Sequence, residues 1–160
     1  MSPLRSIIPR RASLLRRMRS WSRWRAVDTE RMAWVILRGG AFVGRGTFQD
    51  GVIARLKDGT ERVAGDGKNW VSFVHVADYA SAVVAALHAP LHEGIFNVTD
   101  EPIRNGEYLD GLAMRLGLPA PRRDPAAPRP RSYRCTSAAA RRALGWTPGV
   151  GIWPAAEASR

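Results

Sequence analysis

At 160 residues the chain has room for one ordinary domain and not for two of comfortable size. Its 45% hydrophobic and 24% charged residues exclude wholesale disorder and fibrous repeats, and no apolar run approaches the ~20 residues of a membrane-spanning helix. The lone Cys135 excludes an internal disulfide and a cysteine-clustered zinc site, while 25 basic against 14 acidic residues leave a net charge of +11.

That charge is concentrated at one end. Residues 1–32 hold nine arginines against Asp28 and Glu30, a net +7, and residues 33–160 carry the remaining +4. Leu14, Leu15, Met18 and Trp21 recur at helical spacing among Arg16, Arg17, Arg19 and Arg23, a basic amphipathic pattern. As a bare charge run it predicts a solvated, mobile arm. Clustered cations also suit a nucleic-acid phosphate backbone, an anionic membrane surface or an organellar transit peptide. A secretory signal is excluded, because no continuous apolar core follows the charges.

Downstream, Trp34 to Leu37 is an uninterrupted apolar run, which predicts a strand buried on both faces, as in a parallel sheet. Gln49 to Lys57 predicts a helix burying Val52, Ile53 and Leu56, stopped by Asp58-Gly59. Val71 to Val76 alternates as a strand. The next helix opens near Asp78, carries Ala80, Val83, Val84 and Leu87 as one stripe, and ends at Pro90. Ile95 to Val98 predicts another strand. Asn105 is placed to cap a helix burying Leu109, Leu112, Ala113 and Leu116, with Gly117 and Pro119 stopping it. Five prolines within residues 119–130 predict an extended loop, and Ser137 to Leu144 a last short helix closed by Gly145. Alternating strands and helices argue an α/β fold with a mainly parallel sheet.

Taken singly, few residues carry chemistry. His88 and His92 have ligand spacing, but Pro90 lies between them and no further ligands accompany them. His75 and Cys135 read as structural, and no metal site is expected. Neither a phosphate loop of the Walker type nor a G-x-G-x-x-G is found. Gly39-Gly40 and Gly44-x-Gly46 follow a strand, where the missing side chains permit close backbone approach to a ligand.

The order of these segments says more. Residues 34–46 (WVILRGGAFVGRG), 65–87 (GDGKNWVSFVHVADYASAVVAAL), 94–117 (GIFNVTDEPIRNGEYLDGLAMRLG) and the closing Ala143-Leu144-Gly145-Trp146-Thr147-Pro148 resemble four successive landmarks of the NAD(P)-dependent epimerase/dehydratase family, the extended short-chain dehydrogenases/reductases. The resemblance implies a Rossmann-like, doubly wound parallel sheet and NAD- or NADP-dependent oxidoreduction, epimerisation or dehydration of a hydroxyl- or carbonyl-bearing metabolite. It places Arg38, Gly39, Gly40 and Ala41 beside the nicotinamide, and Phe42, Phe48, Val71 and Phe73 around the substrate. Gly39 stands where the family has a proline, and Arg45 where a proline follows Gly44. Ala41 and Val71 stand where sugar-nucleotide enzymes carry asparagine and arginine, which points to a smaller or more apolar substrate.

The family's glycine fingerprint G-x-x-G-x-x-G and catalytic Tyr-x-x-x-Lys do not occur: the fourth residues after Tyr79, Tyr108 and Tyr133 are Val83, Leu112 and Ser137. The expectation is therefore a truncated, C-terminal half lacking the N-terminal dinucleotide-binding units. Residues 33–150 would form a partial domain between the arm and a 151–160 tail. This half would have no catalytic residue of its own, weak or no cofactor binding, and no activity alone. Its partners would be a small-molecule substrate and either a second copy or a chain supplying the cofactor half. A noncatalytic binding or regulatory subunit, and a nucleic-acid or membrane-surface binder acting through the arm, remain open. A cytoplasmic location is expected.

Overall fold

The computed structural model describes residues 33–91 and 93–154. The arginine-rich arm, His92 and residues 155–160 lie outside them. Strand β1 (Trp34–Gly39) passes through Gly40 into β2 (Ala41–Val43), and the two halves of this segment take different partners. β1 pairs in parallel with β6 (Glu93–Val98), setting Trp34 against Glu93 and Gly39 against Val98. β2 pairs in parallel with β5 (Phe73–His75), setting Ala41 against Phe73.

Gly40 is where the chain changes partners. Its N–H donates to Val98 O at 3.2 Å, and the N–H of Ala41 donates to Ser72 O at 2.9 Å. A Cβ on Gly40 would lie 2.3 Å from Ser72 O, so the crossover requires glycine.

Helix α1 (Phe48–Lys57) follows β2 and buries Gln49, Val52 and Leu56, with Thr47 as its cap. β3 (Arg62–Ala64) pairs in parallel with β8 (Arg122–Asp124), and β4 (Trp70–Val71) antiparallel with β7 (Ile103–Arg104). Helix α2 (Val76–His88) crosses from β5 to β6, α3 (Asn105–Arg115) follows β7, and α4 (Ala138–Leu144) closes the described part. Period-two alternation on β5 splits the interior. Phe73 enters one cluster with Val43, Val52, Leu56, Tyr108 and Leu112, while Val74 enters another with Ala82, Phe96, Val98, Ala140 and Trp146.

Parallel pairing of β1–β6 and β2–β5, with α2 as the crossover helix, is the Rossmann-like arrangement. The expectation of a fold lacking its dinucleotide-binding units is corrected by these strand–helix–strand units. A glycine fingerprint reports one tight turn, whereas the parallel register is what defines the sheet.

Local expectations shift too. Trp34 to Leu37 are only half-buried, not enclosed on both faces. The strand expected over Val71 to Val76 breaks at Ser72, whose hydroxyl donates to Tyr133 O and accepts from Cys135 N–H. On α2 the expected stripe points outward: Val83, Val84 and Leu87 are 39%, 55% and 79% exposed. Ala82 is buried instead. Asp78 sets that rotation. Its buried carboxylate accepts from the N–H groups of Gly149, Val150 and Gly151 at 2.8–3.2 Å, and its carbonyl accepts from the Trp146 indole at 3.1 Å. The α2 cap is His75, whose Nδ1 accepts from Ala77 N–H at 3.2 Å. Arg104, not Asn105, stands at the α3 cap position, where Glu107 accepts from its N–H.

Candidate functional site

Ligands of open parallel sheets bind outside the carboxyl ends of the strands. At that edge Arg38 and Gly39 end β1 in exposed positions. A Cβ on Gly39 would come within 2.9 Å of the Phe42 ring and 3.0 Å of the Tyr79 ring. Those two rings meet edge-on at 5.0 Å, and the Tyr79 hydroxyl donates to Leu37 O at 3.1 Å.

The side chain after Gly40 turns the other way. Ala41, Phe48, Val71 and Phe73, four residues singled out from sequence, line one open cavity of about 470 Å³ together with Tyr108 and Asn105. Phe42 is not among its walls, because alternation along β2 sends it to the opposite face from Ala41 and Val43. Phe48 is 48% exposed and stacks near Phe73 (centroids 6.1 Å, 23°), and Phe73 lies 4.2 Å from the buried Tyr108 ring. Tyr108 then stacks on Trp153 at 5.5 Å, and the Arg115 guanidinium covers that indole at 3.9 Å. Of these rings only Phe48 is exposed; Phe73 and Tyr108 are buried, and the row of rings runs from the cavity into the core.

Gln49 holds this arrangement from beneath. Its Oε1 accepts from Gly44 N–H at 2.9 Å, while Nε2 donates to the Tyr108 hydroxyl at 2.8 Å and to Ile152 O at 3.1 Å. Burial pushes the Tyr108 phenol up to about 12, against the opposing pull of the Gln49 amide. The group therefore stays protonated at neutral pH.

The Gly44–Gly46 turn does not form a phosphate cradle. Gly44 adopts φ +113°, a conformation suited to glycine, but its N–H is committed to Gln49 and that of Gly46 to Asp50 Oδ2 at 2.7 Å. The Asp50 carboxylate also disfavours an anion there.

Sequence reasoning missed Gln49, Tyr108 and Arg55 as parts of the site. Gln49 did leave a signal: a polar residue in the first position of the 49, 52, 53, 56 stripe. Tyr108 occupies the matching place beside Leu109 and Leu112 on α3. Among the described residues no group of three or more metal-ligating side chains is found, and no helix is long and apolar enough to cross a membrane.

The parallel strands with their crossover helix define the fold as Rossmann-like α/β. Residues 15–99 match the NAD dependent epimerase/dehydratase family, and the chain belongs to that family. It is 36% identical over 145 residues to the 3-diazoavenalumate denitrifying reductase of a Streptomyces species, a match covering 81% of this chain and 47% of that protein. The chain thus spans about half the length of that relative. Among solved structures, MoeE5 in complex with UDP-glucuronic acid and NAD is 25% identical, with a TM-score of 0.59, covering 75% of this chain and 43% of that one. UDP-glucose 4-epimerase of Thermotoga maritima, with UDP-glucose, shares the fold at 23% identity and a TM-score of 0.61, covering 74% and 41%.

These findings correct the sequence reading. The family match starts at residue 15, well upstream of β1, and the parallel units are those of NAD-binding relatives. The chain is therefore not only a C-terminal half, and the expectations that it is truncated, inactive and weakly binding or non-binding toward NAD or NADP are not supported.

Proposed function

We propose that the protein serves NAD(P)-dependent oxidoreduction, epimerisation or dehydration of a hydroxyl- or carbonyl-bearing metabolite, acting in the cytoplasm. The observation that carries this reading is the convergence of Ala41, Phe48, Val71 and Phe73 on one cavity beside the starts of β2 and β5, just past the carboxyl end of β1. Reduction is the favoured direction of use, because the 36%-identical relative is by name a reductase. A bound nicotinamide supplies or accepts hydride. The chain's own part is to seat that ring against Arg38, Gly39 and Gly40 and to hold the substrate on Phe48, Val71 and Phe73. Phe42 braces Gly39 through Tyr79 from the opposite face.

Apolar walls fit an apolar substrate body. Ala41 and Val71 offer no side-chain hydrogen bond to a sugar or phosphate. Titration of the full chain with NADH and NADPH, followed by nucleotide fluorescence, tests the reading. One-to-one saturation is expected. Fluorescence unchanged by the protein for both nucleotides would contradict it.

A further inference from the structure

We propose that the outer side of the β3–β8 pair holds a binding site for a small phosphomonoester, its dianionic phosphate among Arg55, Arg62 and Arg122. This site goes beyond the proposed function and does not depend on it.

The strand register sets two like charges side by side. Arg62 is the partner of Arg122 in the parallel β3–β8 pair, and both are exposed. Their neighbours point the other way: Val63 is fully buried, and Arg123 donates to the Asp110 carboxylate of α3 at 2.6 and 3.0 Å. Alternation therefore sends Arg62 and Arg122 together to the opposite face. Like charges directly opposite each other on a sheet are destabilising, and an anion between them removes that cost.

Arg55 on α1 adds a third cation. A second cavity, of about 370 Å³, is lined by Arg55, Arg62 and Arg122, with Glu61 as its one carboxylate. Three positive charges against one leave an excess of two, which matches a phosphomonoester dianion. The carboxylates nearby are already engaged. Glu61, its side chain only 12% exposed, accepts from Arg55 Nε at 2.8 Å. Asp58 accepts from the Thr60 N–H and hydroxyl, and Asp124 from the N–H groups of Ala126 and Ala127.

Donors remain on all three arginines. Among the described residues Arg55 commits only Nε, Arg62 only Nη1, to the carbonyls of Gly59 and Glu61, and Arg122 nothing. Guanidinium N–H groups left free in this way bind phosphate oxygens in pairs. Leu56, Pro119 and Pro121 complete the wall with apolar surface for a short carbon body, and the two prolines fix the backbone of that rim without a ligand. The volume falls within the range for a small ligand.

Calorimetric titration of the full chain in ~0.15 M salt, where diffuse surface attraction is screened, tests the site. The probes are phenyl phosphate and phenyl sulfate at about pH 8, where the phosphate, with its second pKa near ~6, is a dianion and the sulfate a monoanion of the same shape. Phenyl phosphate is expected to bind one-to-one and at least about ten-fold tighter than phenyl sulfate. Arg122→Met should weaken phenyl phosphate at least about five-fold with an unchanged melting temperature, because that side chain holds no other described residue. Arg131→Met, which removes an exposed arginine outside the cavity, should change binding by less than about two-fold. Equal affinity of the unaltered protein for the two probes, or equal losses in the two variants, would overturn the inference and reduce the site to diffuse positive charge. No nicotinamide nucleotide enters these titrations, so a failure of the cofactor reading leaves this test intact.

Discussion

The Gln49 side chain and the Tyr108 hydroxyl are joined by a 2.8 Å hydrogen bond that ties α1 to α3 across 59 residues of sequence. The same amide reaches the turn after β2 through Gly44 and the closing segment through Ile152. One buried side chain therefore sets the spacing of three segments around the cavity. Replacing Gln49 by Leu leaves the Gly44 N–H and the Ile152 carbonyl without partners. The expected loss is about 2–4 kcal/mol of stability, read from chemical denaturation, since each stranded buried group costs ~1–3 kcal/mol. A loss under about 0.5 kcal/mol would show that the clamp is dispensable.

Tyr108 predicts a pH effect of definite sign. Its folded value, pushed up to about 12, lies above the ordinary phenol value of 10.0. The unfolded chain thus releases that proton first as pH rises. The stabilisation is fully present below pH 10 and is lost progressively as pH approaches 12. Tyr108→Phe should flatten the alkaline limb by about 2 kcal/mol, one pH unit being worth ~1.4 kcal/mol. Ultraviolet titration of the unaltered protein should show a phenol ionising near 12 that is missing from the variant.

Asp78 fastens the closing segment. Removing its carboxylate in Asp78→Ala strands three consecutive N–H groups, Gly149 to Gly151. The expected cost is about 3 kcal/mol, because hydrogen bonds to a charged acceptor are the stronger ones. Hydrogen exchange should rise at residues 149–151 before it rises in β1 or β6. Uniform loss of protection would mean that Asp78 supports the whole fold instead.

Much of this was legible beforehand. Val52 and Leu56 on α1 and Leu109, Leu112 and Ala113 on α3 are buried as their apolar spacing predicts, while Ile53 and Leu116 are only partly so. Ala41, Phe48, Val71 and Phe73, taken from the family's landmarks, line one cavity. What failed has physical causes. The outward stripe of α2 cannot be distinguished by periodicity from its Ala82 face, because the choice is made by Asp78 and Trp146 contacts 68–73 residues away in sequence. The break at Ser72 depends likewise on Tyr133 and Cys135. Phe42 was grouped with Phe48, although strand alternation separates them once Gly40 fixes the register. The missing fingerprint was read as a missing unit, yet backbone pairing needs no particular glycine.

The stripe gives its own test. With Val84 55% exposed, Val84→Asp should change stability by under about 0.5 kcal/mol, as surface substitutions do. Thermal unfolding checks this, and a loss of about 3 kcal/mol would restore the stripe to the core.

The central claim is that a nicotinamide nucleotide and a small substrate meet just past the carboxyl end of β1, beside the starts of β2 and β5. Amide chemical-shift mapping of the isotopically labelled full chain during titration with NADPH tests it most directly. The account predicts saturable shifts concentrated at Arg38, Gly39, Gly40 and Ala41, spreading to Val71 and Phe73. Shifts absent from those residues at saturating nucleotide, or gathered instead around α4 and the 119–130 loop, would contradict it.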